Sequence, residues 1–524
     1  MISGSHSGVL RGGWYEVPMG DTGMTSPTSK RYALGALIAT SVSALVVNAN
    51  TSAVSILIPA ISEDTGTPTD TLQWAVTGYS LVGAAVIVTS GSLGDVFGRR
   101  KIFLGGLFLF IASCVLIALS QEGVGVIAGR CIQGAAGATI LACGMSLLSA
   151  SSTGKEQLRA VTLWGAASAV GAAAGPLVGG LLASTLGWQG LFWIDAAIAV
   201  LCIPVTLIAV QESLDPTRPR SIDLAGTVLI AAILAPLIFA LTNGSAWGWV
   251  SLPTLGCFAI TILATIGFVL VESRVKAPLL DLGLLRNKIL VGATLSILLG
   301  SGTVNAIMYV VSLYFQDPST LGMDAFQAGL ATLPVAAAAV VLAPLITPIV
   351  GRIGARTTIA VGFIIMAVSF AALAFVQDTW TYALFVLPLI GVAAGMSLQN
   401  GPCSSISTAC VEPREVGAAS GVSNMARYVG AAVMTAIVAS VYGSVSANRL
   451  AEGATESAAL ADAFSWSSIS MGIWCVLGIA LALLVARGVT RKPTEFEYAS
   501  AAASTSHTLT PPDVVTTADA AASR

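Results

Sequence analysis

Histidine is nearly absent from this chain: of 524 residues only His6 and His507 are histidine, and both lie in polar end segments. Charge is scarce too, with Asp, Glu, Lys and Arg making up 10% of residues, against roughly 25% in an ordinary soluble domain. A chain so poor in charge lacks the polar surface needed to sit in water, which excludes secreted, disordered and nucleic-acid-binding classes. The eight cysteines (Cys114, Cys131, Cys143, Cys202, Cys257, Cys403, Cys410, Cys475) are scattered through mostly apolar runs. They form no CxxC pair and have no histidine partner, so no metal or redox centre is expected. No apolar segment carries an HExxH, a carboxylate pair or a Ser/His/Asp set, which leaves catalysis without its chemistry. No GxxxxGK[ST] loop is present for an ATP-driven pump within this chain. The sequence reads as a non-enzyme with no cofactor.

What the chain does have is apolar length. Hydrophobic residues reach 55%, mean hydropathy is +0.86, and 54 glycines allow helices to approach closely. A helix of about 20 apolar residues crosses the hydrocarbon core. About fourteen such stretches are predicted, at 33–60, 73–93, 102–120, 124–149, 160–184, 191–210, 224–243, 250–271, 289–315, 326–350, 357–376, 381–408, 416–446 and 465–486. The fold class is therefore an all-α membrane protein. The polar segment 1–31 has no apolar h-region and is expected to be a cytoplasmic tail. The Ala/Ser/Thr-rich segment 488–524 is expected to be a disordered one.

Orientation follows from basic residues in short loops. Lys30/Arg31, Arg99/Arg100/Lys101, Lys155/Arg159, Arg218/Arg220, Arg274/Lys276/Arg286/Lys288, Arg352/Arg356, Arg414 and Arg487/Arg491/Lys492 all fall on one side. The opposite loops carry Glu63, Asp64, Asp70, Glu122, Asp317, Asp324 and Asp378, with Arg449 as their basic residue. This alternation predicts an even number of spans with both termini cytoplasmic. A faint repeat links Gly91–Arg100 (GSLGDVFGRR) to Gly351–Arg356 (GRIGAR), eight spans apart. It predicts two six-helix halves, 32–210 and 289–487, around an intervening helix pair and loops at 211–288. Repeated halves meeting at a central site are the architecture of secondary transporters.

Three motifs carry most of the information. In the loop Gly91–Lys101, Gly94 and Gly98 permit backbone geometries closed to larger residues. Asp95 can cap a helix or pair with Arg99, so Asp95, Gly98 and Arg99 are a candidate conformational latch. An anchoring turn obeying the positive-inside rule is the plainer reading. The fourth span, Ile127–Gly137, places Arg130 about six residues inside the membrane, roughly 9 Å deep at 1.5 Å per residue. A guanidinium there marks a relay, a substrate contact or an ion pair, with a structural tie to backbone carbonyls as the alternative. In the fifth span, Gly165, Ser168, Ala172, Gly175 and Gly179 recur at three-four spacing as a small-residue stripe. Pro176 removes a backbone hydrogen bond there and should bend the helix. Gly171, Gly175, Pro176 and Gly179 are the candidate packing residues.

These motifs, with Leu72–Tyr79 (LQWAVTGY), Trp188/Phe192, Trp247-Gly-Trp249 and Pro413–Asn424, resemble the fourteen-span drug:proton antiporter family of the major facilitator superfamily, from about 33 to 490. The loop resembles the superfamily signature, the fourth span its proton-transfer motif and the fifth its antiporter motif. Two departures stand out. That family typically has an acidic residue ten positions before the proline ending the first span. Here Pro59 is present, but Ala49 or, with a one-residue shift, Asn50 stands at the acidic position. Asp195 replaces a usual asparagine at the start of the sixth span, and is the only carboxylate clearly within a predicted span. Arg130 and Asp195 are thus the candidate proton-coupling residues. Asp223 reads as a helix cap.

The resemblance implies that the first, fourth, ninth and twelfth spans line a central cavity. Periodicity offers Ser301, Asn305, Tyr309, Ser312 and Gln316 as one stripe of the ninth, and Met396, Gln399, Asn400 and Cys403 on one face of the twelfth. Asn424 and Arg427 share a face of the thirteenth. Asn48 and Asn50, two apart, cannot both face the cavity. The candidate substrate-cavity residues are Asn50, Gln133, Asn305, Tyr309, Gln316, Met396, Gln399, Asn400, Asn424 and Arg427; interhelical hydrogen bonding without ligand contact is the competing role. The expected function is secondary active export of amphipathic or lipophilic small molecules across the plasma (inner) membrane by alternating access with proton antiport. The alternative is a weakly coupled exporter or facilitator of a metabolite or lipid; a membrane-embedded enzyme or sensor is remote. Expected partners are the lipid bilayer, protons and a lipophilic, neutral or weakly charged substrate, since few membrane carboxylates await dications. No nucleic acid is expected, and the chain is expected to be a monomer.

Overall fold

The computed structural model describes residues 27–151, 154–213, 223–275, 278, 282–411 and 416–485. Among these, every long element is a helix: α1 (Pro27–Thr65), α2 (Thr69–Phe97), α3 (Arg99–Leu119), α4 (Gly123–Ser151), α5 (Gly154–Leu186), α6 (Gln189–Ala209), α7 (Leu224–Trp247), α8 (Leu252–Glu272), α9 (Lys288–Gln316), α10 (Ala325–Ala331), α11 (Leu333–Ile353), α12 (Ala355–Leu373), α13 (Tyr382–Ala409), α14 (Val416–Ala451) and α15 (Glu456–Val485). Thirteen are long and apolar enough to cross a membrane, or up to fourteen if the two parts of α5 form one span. The chain is an all-α, multi-pass membrane protein.

Helix boundaries follow side-chain chemistry. Asp223 caps α7 by accepting from the Gly226 amide at 2.7 Å, and Asn287 caps α9 by accepting from Ile289 and Leu290. Asp324 and Gln327 cap α10 reciprocally. The tenth predicted stretch is not one straight helix. It breaks at Thr332 between α10 and α11, because Pro334 has no amide hydrogen to give and its ring crowds the carbonyl four residues back. Pro176 acts likewise in α5, which bends by 44° between Leu163–Ala172 and Ala174–Leu186.

The sequence repeat has a structural counterpart. Gly98 and Gly354 both take positive φ (111° and 81°) at the α2–α3 and α11–α12 turns. Two residues on, Arg100 Nη2 donates to the Leu207 carbonyl near the end of α6 (2.8 Å), and Arg356 Nη2 donates to the Leu483 carbonyl near the end of α15 (2.9 Å). One device closes the basic end of each bundle.

Helices α1–α6 pack around Leu57, Phe103, Phe110, Trp188 and Phe192. Helices α9–α15 pack around Phe315, Phe363, Phe370, Phe385 and Phe464, where Phe385 meets Phe315 and Phe464 edge-on at 5.3 and 5.5 Å. The α7–α8 pair lies over the junction of α2 and α14, burying Ile230, Leu234, Ile238 and Phe268 against Ala84, Ala85, Ala432 and Ala436. Thr89–Thr227 (2.5 Å) and Gln73–Thr242 (3.2 Å) hold α7 antiparallel along α2.

The bundles touch most closely toward the end bearing the acidic loops. Ser312 on α9 donates to the Ser55 carbonyl on α1, and Gln316 donates to the Ile56 carbonyl at 3.0 Å. A methyl group added to Gly180 would lie 2.2 Å from the Ala325 carbonyl, and one on Gly329 2.4 Å from the Pro176 carbonyl. At such distances α5 and α10 meet backbone to backbone. Among the described residues α4 and α13 share no packed interface, while α2 and α14 stay in contact along the junction as far as Val88 and Gly421.

Candidate transport site

Five helices converge on Arg130, which is wholly buried in α4. Its Nε donates to the Ala75 carbonyl on α2 (2.9 Å), and its Nη1 donates both to Asn50 Oδ1 on α1 (2.6 Å) and to Gln133 Oε1 one turn away (2.5 Å). Asn50 uses its other end to donate to Asp195 Oδ2 on α6 at 2.7 Å. Gln133 in turn donates to the Cys114 sulfur on α3 at 3.0 Å. The guanidinium carbon sits 4.2 Å from the centre of the Tyr79 ring on α2, a cation–π contact strengthened by the burial of both groups. Arg130 Nη2 has no hydrogen-bond partner among the described residues.

Local sequence explains why the ring can press so close. Gly134 and Gly137 sit one and two turns beyond Arg130. A methyl group on Gly134 would come within 2.2 Å of the Tyr79 carbonyl, and one on Gly137 within 2.6 Å of its hydroxyl. Glycine at both lets α2 lie on α4. On its far side Tyr79 accepts a hydrogen bond from Thr51 (3.0 Å) and faces Tyr428 of α14 across the bundle junction, ring centres 6.3 Å apart. Tyr428 itself packs into the space left by Gly83.

The carboxylate and the guanidinium are therefore not a direct ion pair. The Asn50 amide joins them, accepting from the cation and donating to the anion, so a change of charge at one end is felt at the other through a polarised chain. Asp195 and Asn50 are 5% and 0% exposed. Asn50 and Gln133 thus belong to this buried network and do not line open space in this conformation. Asn48, the other candidate of the first span, is partly buried and bonds back to the Ala44 carbonyl.

A second polar cluster lies between α13 and α14. Arg427 donates to Asn424 Oδ1 (2.5 Å), Asn400 Oδ1 (3.2 Å) and Ser404 Oγ (2.6 Å). Ser407 and Ser423 join the same helices at 2.8 Å, nearer the basic end. Other predicted cavity residues sit elsewhere. Tyr309, 1% exposed, reaches the Thr69 carbonyl, and Gln316 belongs to the α1–α9 contact. Gln399 and Cys403 are buried within the second bundle, Gln399 against Gly300 and Gly362. Met396 packs against the same core. The twelfth-span stripe divides because α9 and α12 cover one of its edges, leaving Asn400 on the other. Asn305 is partly buried, seven residues before Ser312 and so on the same face of α9, just inside the closed contact.

The basic-end loop holds a partner that sequence reasoning missed. Glu212, after α6, accepts from the Arg100 amide at 3.0 Å, and its carboxylate lies where a side chain on Gly98 would project. Ser213 accepts from the Arg99 amide (2.9 Å) and from its guanidinium (3.2 Å). The Asp95 side chain lies outside the described residues, so its predicted pairing with Arg99 does too. Also unforeseen is Glu272, 4% exposed at the end of α8, which with Asp223 crowds Gly226. Asp195 is therefore not the sole buried carboxylate of a spanning helix, though it is the one well inside its span.

The small-residue stripe of α5 faces α1, but one helical position away from its predicted centre line. Gly171, Gly175 and Gly179 approach Leu45, Ala49 and Ala53, where added methyl groups would lie 2.2 Å and 2.3 Å from the first two carbonyls and 2.9 Å from the Ala53 side chain. Gly165 meets open space and Ala172 is exposed. The bend above Pro176 re-aims the half of the helix preceding it.

Two repeated helical bundles, a broken tenth span and a buried arginine network define a multi-pass membrane transporter. The family model of the Major Facilitator Superfamily matches residues 40–435, and the chain belongs to that superfamily. It is 31% identical over 439 residues to the cephamycin export protein CmcT of Amycolatopsis lactamdurans, covering 82% of this chain and 89% of that one. It is 28% identical over 437 residues to the tetracenomycin C resistance and export protein of Streptomyces glaucescens, covering 82% and 81%. Among solved structures, an auto-inhibited peptide transporter of the POT family matches in fold with a TM-score of 0.64, at 14% identity over 88% of this chain and 98% of that one.

Proposed function

We propose that this chain exports amphipathic or lipophilic small molecules by alternating access, driven by protons moving the other way. Relatives named as antibiotic exporters support the direction and the substrate type. The observation that carries proton coupling is the chain Asp195–Asn50–Arg130. A proton-driven exporter needs a group that gains and loses a proton as the cavity changes sides, and Asp195 is the carboxylate that the network holds. With Asp195 ionised, Asn50 donates to it and leaves its carbonyl for Arg130. With Asp195 neutral, that acceptor weakens and the new hydroxyl competes for the Asn50 carbonyl, loosening the tie between α1, α4 and α6. Tyr79, stacked on Arg130 and facing Tyr428, links this network to the junction of the two bundles.

The positive-inside rule supports placing the basic end and both termini on the cytoplasmic side of the plasma membrane. The domain boundaries stand as proposed from the sequence, with α7–α8 as the intervening pair and a single chain as the working unit. The test is transport in inside-out vesicles with and without an imposed pH gradient. Wild-type uptake should rise several-fold with the gradient. Asp195→Asn should lose that response while still binding substrate. Wild-type transport indifferent to the gradient would replace antiport by weakly coupled export, and an Asp195→Asn protein that still responds would move the proton route elsewhere.

A further inference from the structure

We infer that the Arg427 cluster is a binding subsite for the acidic group of the exported molecule, so that the substrates include amphipathic organic anions, bearing a carboxylate, phenolate or sulfonate on an apolar body. The inference rests on the export reading above and narrows it. Arg427 lies nine residues inside the apolar stretch that starts at Ala418, about 14 Å along the helix at 1.5 Å per residue. A guanidinium at that depth is retained only where it is paired, solvated in a cavity or used. Its partners differ from those of Arg130. Asn50 connects Arg130 to Asp195, whereas Arg427 is held by the amide oxygens of Asn400 and Asn424 and the hydroxyl of Ser404. Among the described residues no carboxylate lies within ion-pair distance of it. Neutral acceptors fix the direction of the fork and leave its full positive charge uncompensated.

The position fits a ligand. Arg427, Asn400 and Asn424 are all only partly buried. Next to Arg427, Tyr428 faces Tyr79 of the other bundle, so the cluster borders the junction between the bundles. It sits on α13 and α14, which among the described residues share no packed interface with α4. A planar guanidinium with amide oxygens around it offers an oxyanion a bidentate partner, and Asn400 and Asn424 can rotate to present their NH2 groups as further donors. Because Tyr428 follows Arg427 and faces the ring stacked on Arg130, an anion bound here sits one aromatic pair away from the proton network. That arrangement couples substrate and proton through shared packing.

The experiment is equilibrium binding to the purified full-length protein of a fluorescent acid, 11-(dansylamino)undecanoic acid, and of its methyl ester, which keeps the apolar body and removes the charge. Wild type should bind the acid at least tenfold tighter than the ester. Arg427→Gln should weaken acid binding at least tenfold and ester binding less than twofold, and Arg427→Lys should recover part of the loss. Asn424→Asp leaves the guanidinium in place but neutralises it, and should erase the preference for the acid; this variant decides the matter if Arg427→Gln fails to fold. Equal binding of acid and ester by wild type, failure of wild type to bind either, or an unchanged acid preference in Asn424→Asp would overturn the inference. Normal acid binding with no transport of either probe in proteoliposomes would count against the export reading and leave the subsite standing.

Discussion

At the scale of single residues, the molecule turns on the asparagine between a cation and an anion. Asn50 cannot titrate, yet it occupies the only hydrogen-bonded path from Arg130 to Asp195 among the described residues. Placing the carboxylate at 50 would bring it to 2.6 Å from Arg130 Nη1, where the amide oxygen now stands, and make a direct ion pair. Asn50→Asp alone puts two carboxylates in contact and should favour one shared proton at neutral pH, sharpening proton dependence and improving transport of cationic substrates. The exchange variant Asn50→Asp/Asp195→Asn restores one carboxylate and one amide in reversed order. It should regain most of the gradient response that Asp195→Asn loses. A double variant no better than Asp195→Asn alone would mean that the carboxylate must stand on α6, and the relay through the amide would fall.

At the scale of elements, glycine sets how near two helices come. Gly175 lies over the Ala49 carbonyl, so even alanine there collides with backbone that no rotamer change can move. Gly175→Ala should destabilise by about 1–3 kcal/mol, the usual range for overpacking, seen as a lower melting temperature in detergent and a matching loss of transport. Gly165→Ala, facing open space, should melt as wild type does; equal effects at both positions would show that the contact with α1 does not hold the bundle. The same helix shows what the sequence makes legible. That α5 exists, is rich in small residues and bends near Pro176 could be read directly, because span length and proline chemistry are local. The face was read one position off, because Gly175 and Gly179 belong equally to the stripe through Gly165 and to the one through Gly171, and the bend decides between them. The meeting of Asn50, Arg130 and Asp195 was less legible still. Each residue stood out as polar within a span, but their convergence depends on how α1, α4 and α6 are rotated about their axes. Glu212 carried no signal beyond being a charge in a loop.

At the scale of the whole molecule, alternating access requires that the closest contacts between bundles be temporary. Here they lie at the acidic end, where Ser312 and Gln316 of α9 hold the Ser55 and Ile56 carbonyls of α1. Hydrogen bonds to backbone carbonyls at a helix–helix contact are individually weak, about 0.5–1.5 kcal/mol net. A few of them can therefore be broken in a transition between states separated by a few kcal/mol. The packing of α5 on α10 at the same end must open with them, while the α7–α8 pair can ride on α2 and α14 without entering the contact. A covalent tie across this seam should trap the molecule. In a background with the eight native cysteines replaced, Ser55→Cys/Ser312→Cys joined by mild oxidation or a short bifunctional thiol reagent should cut export more than tenfold. Reduction should restore it, and each single variant under the same treatment should be unaffected. The trapped protein should keep binding the fluorescent acid, since the Arg427 cluster is built on α13 and α14 rather than on the cross-linked helices α1 and α9. Full export by the cross-linked protein would mean that this end does not open during transport, and that substrate leaves by another path than the one between α1 and α9.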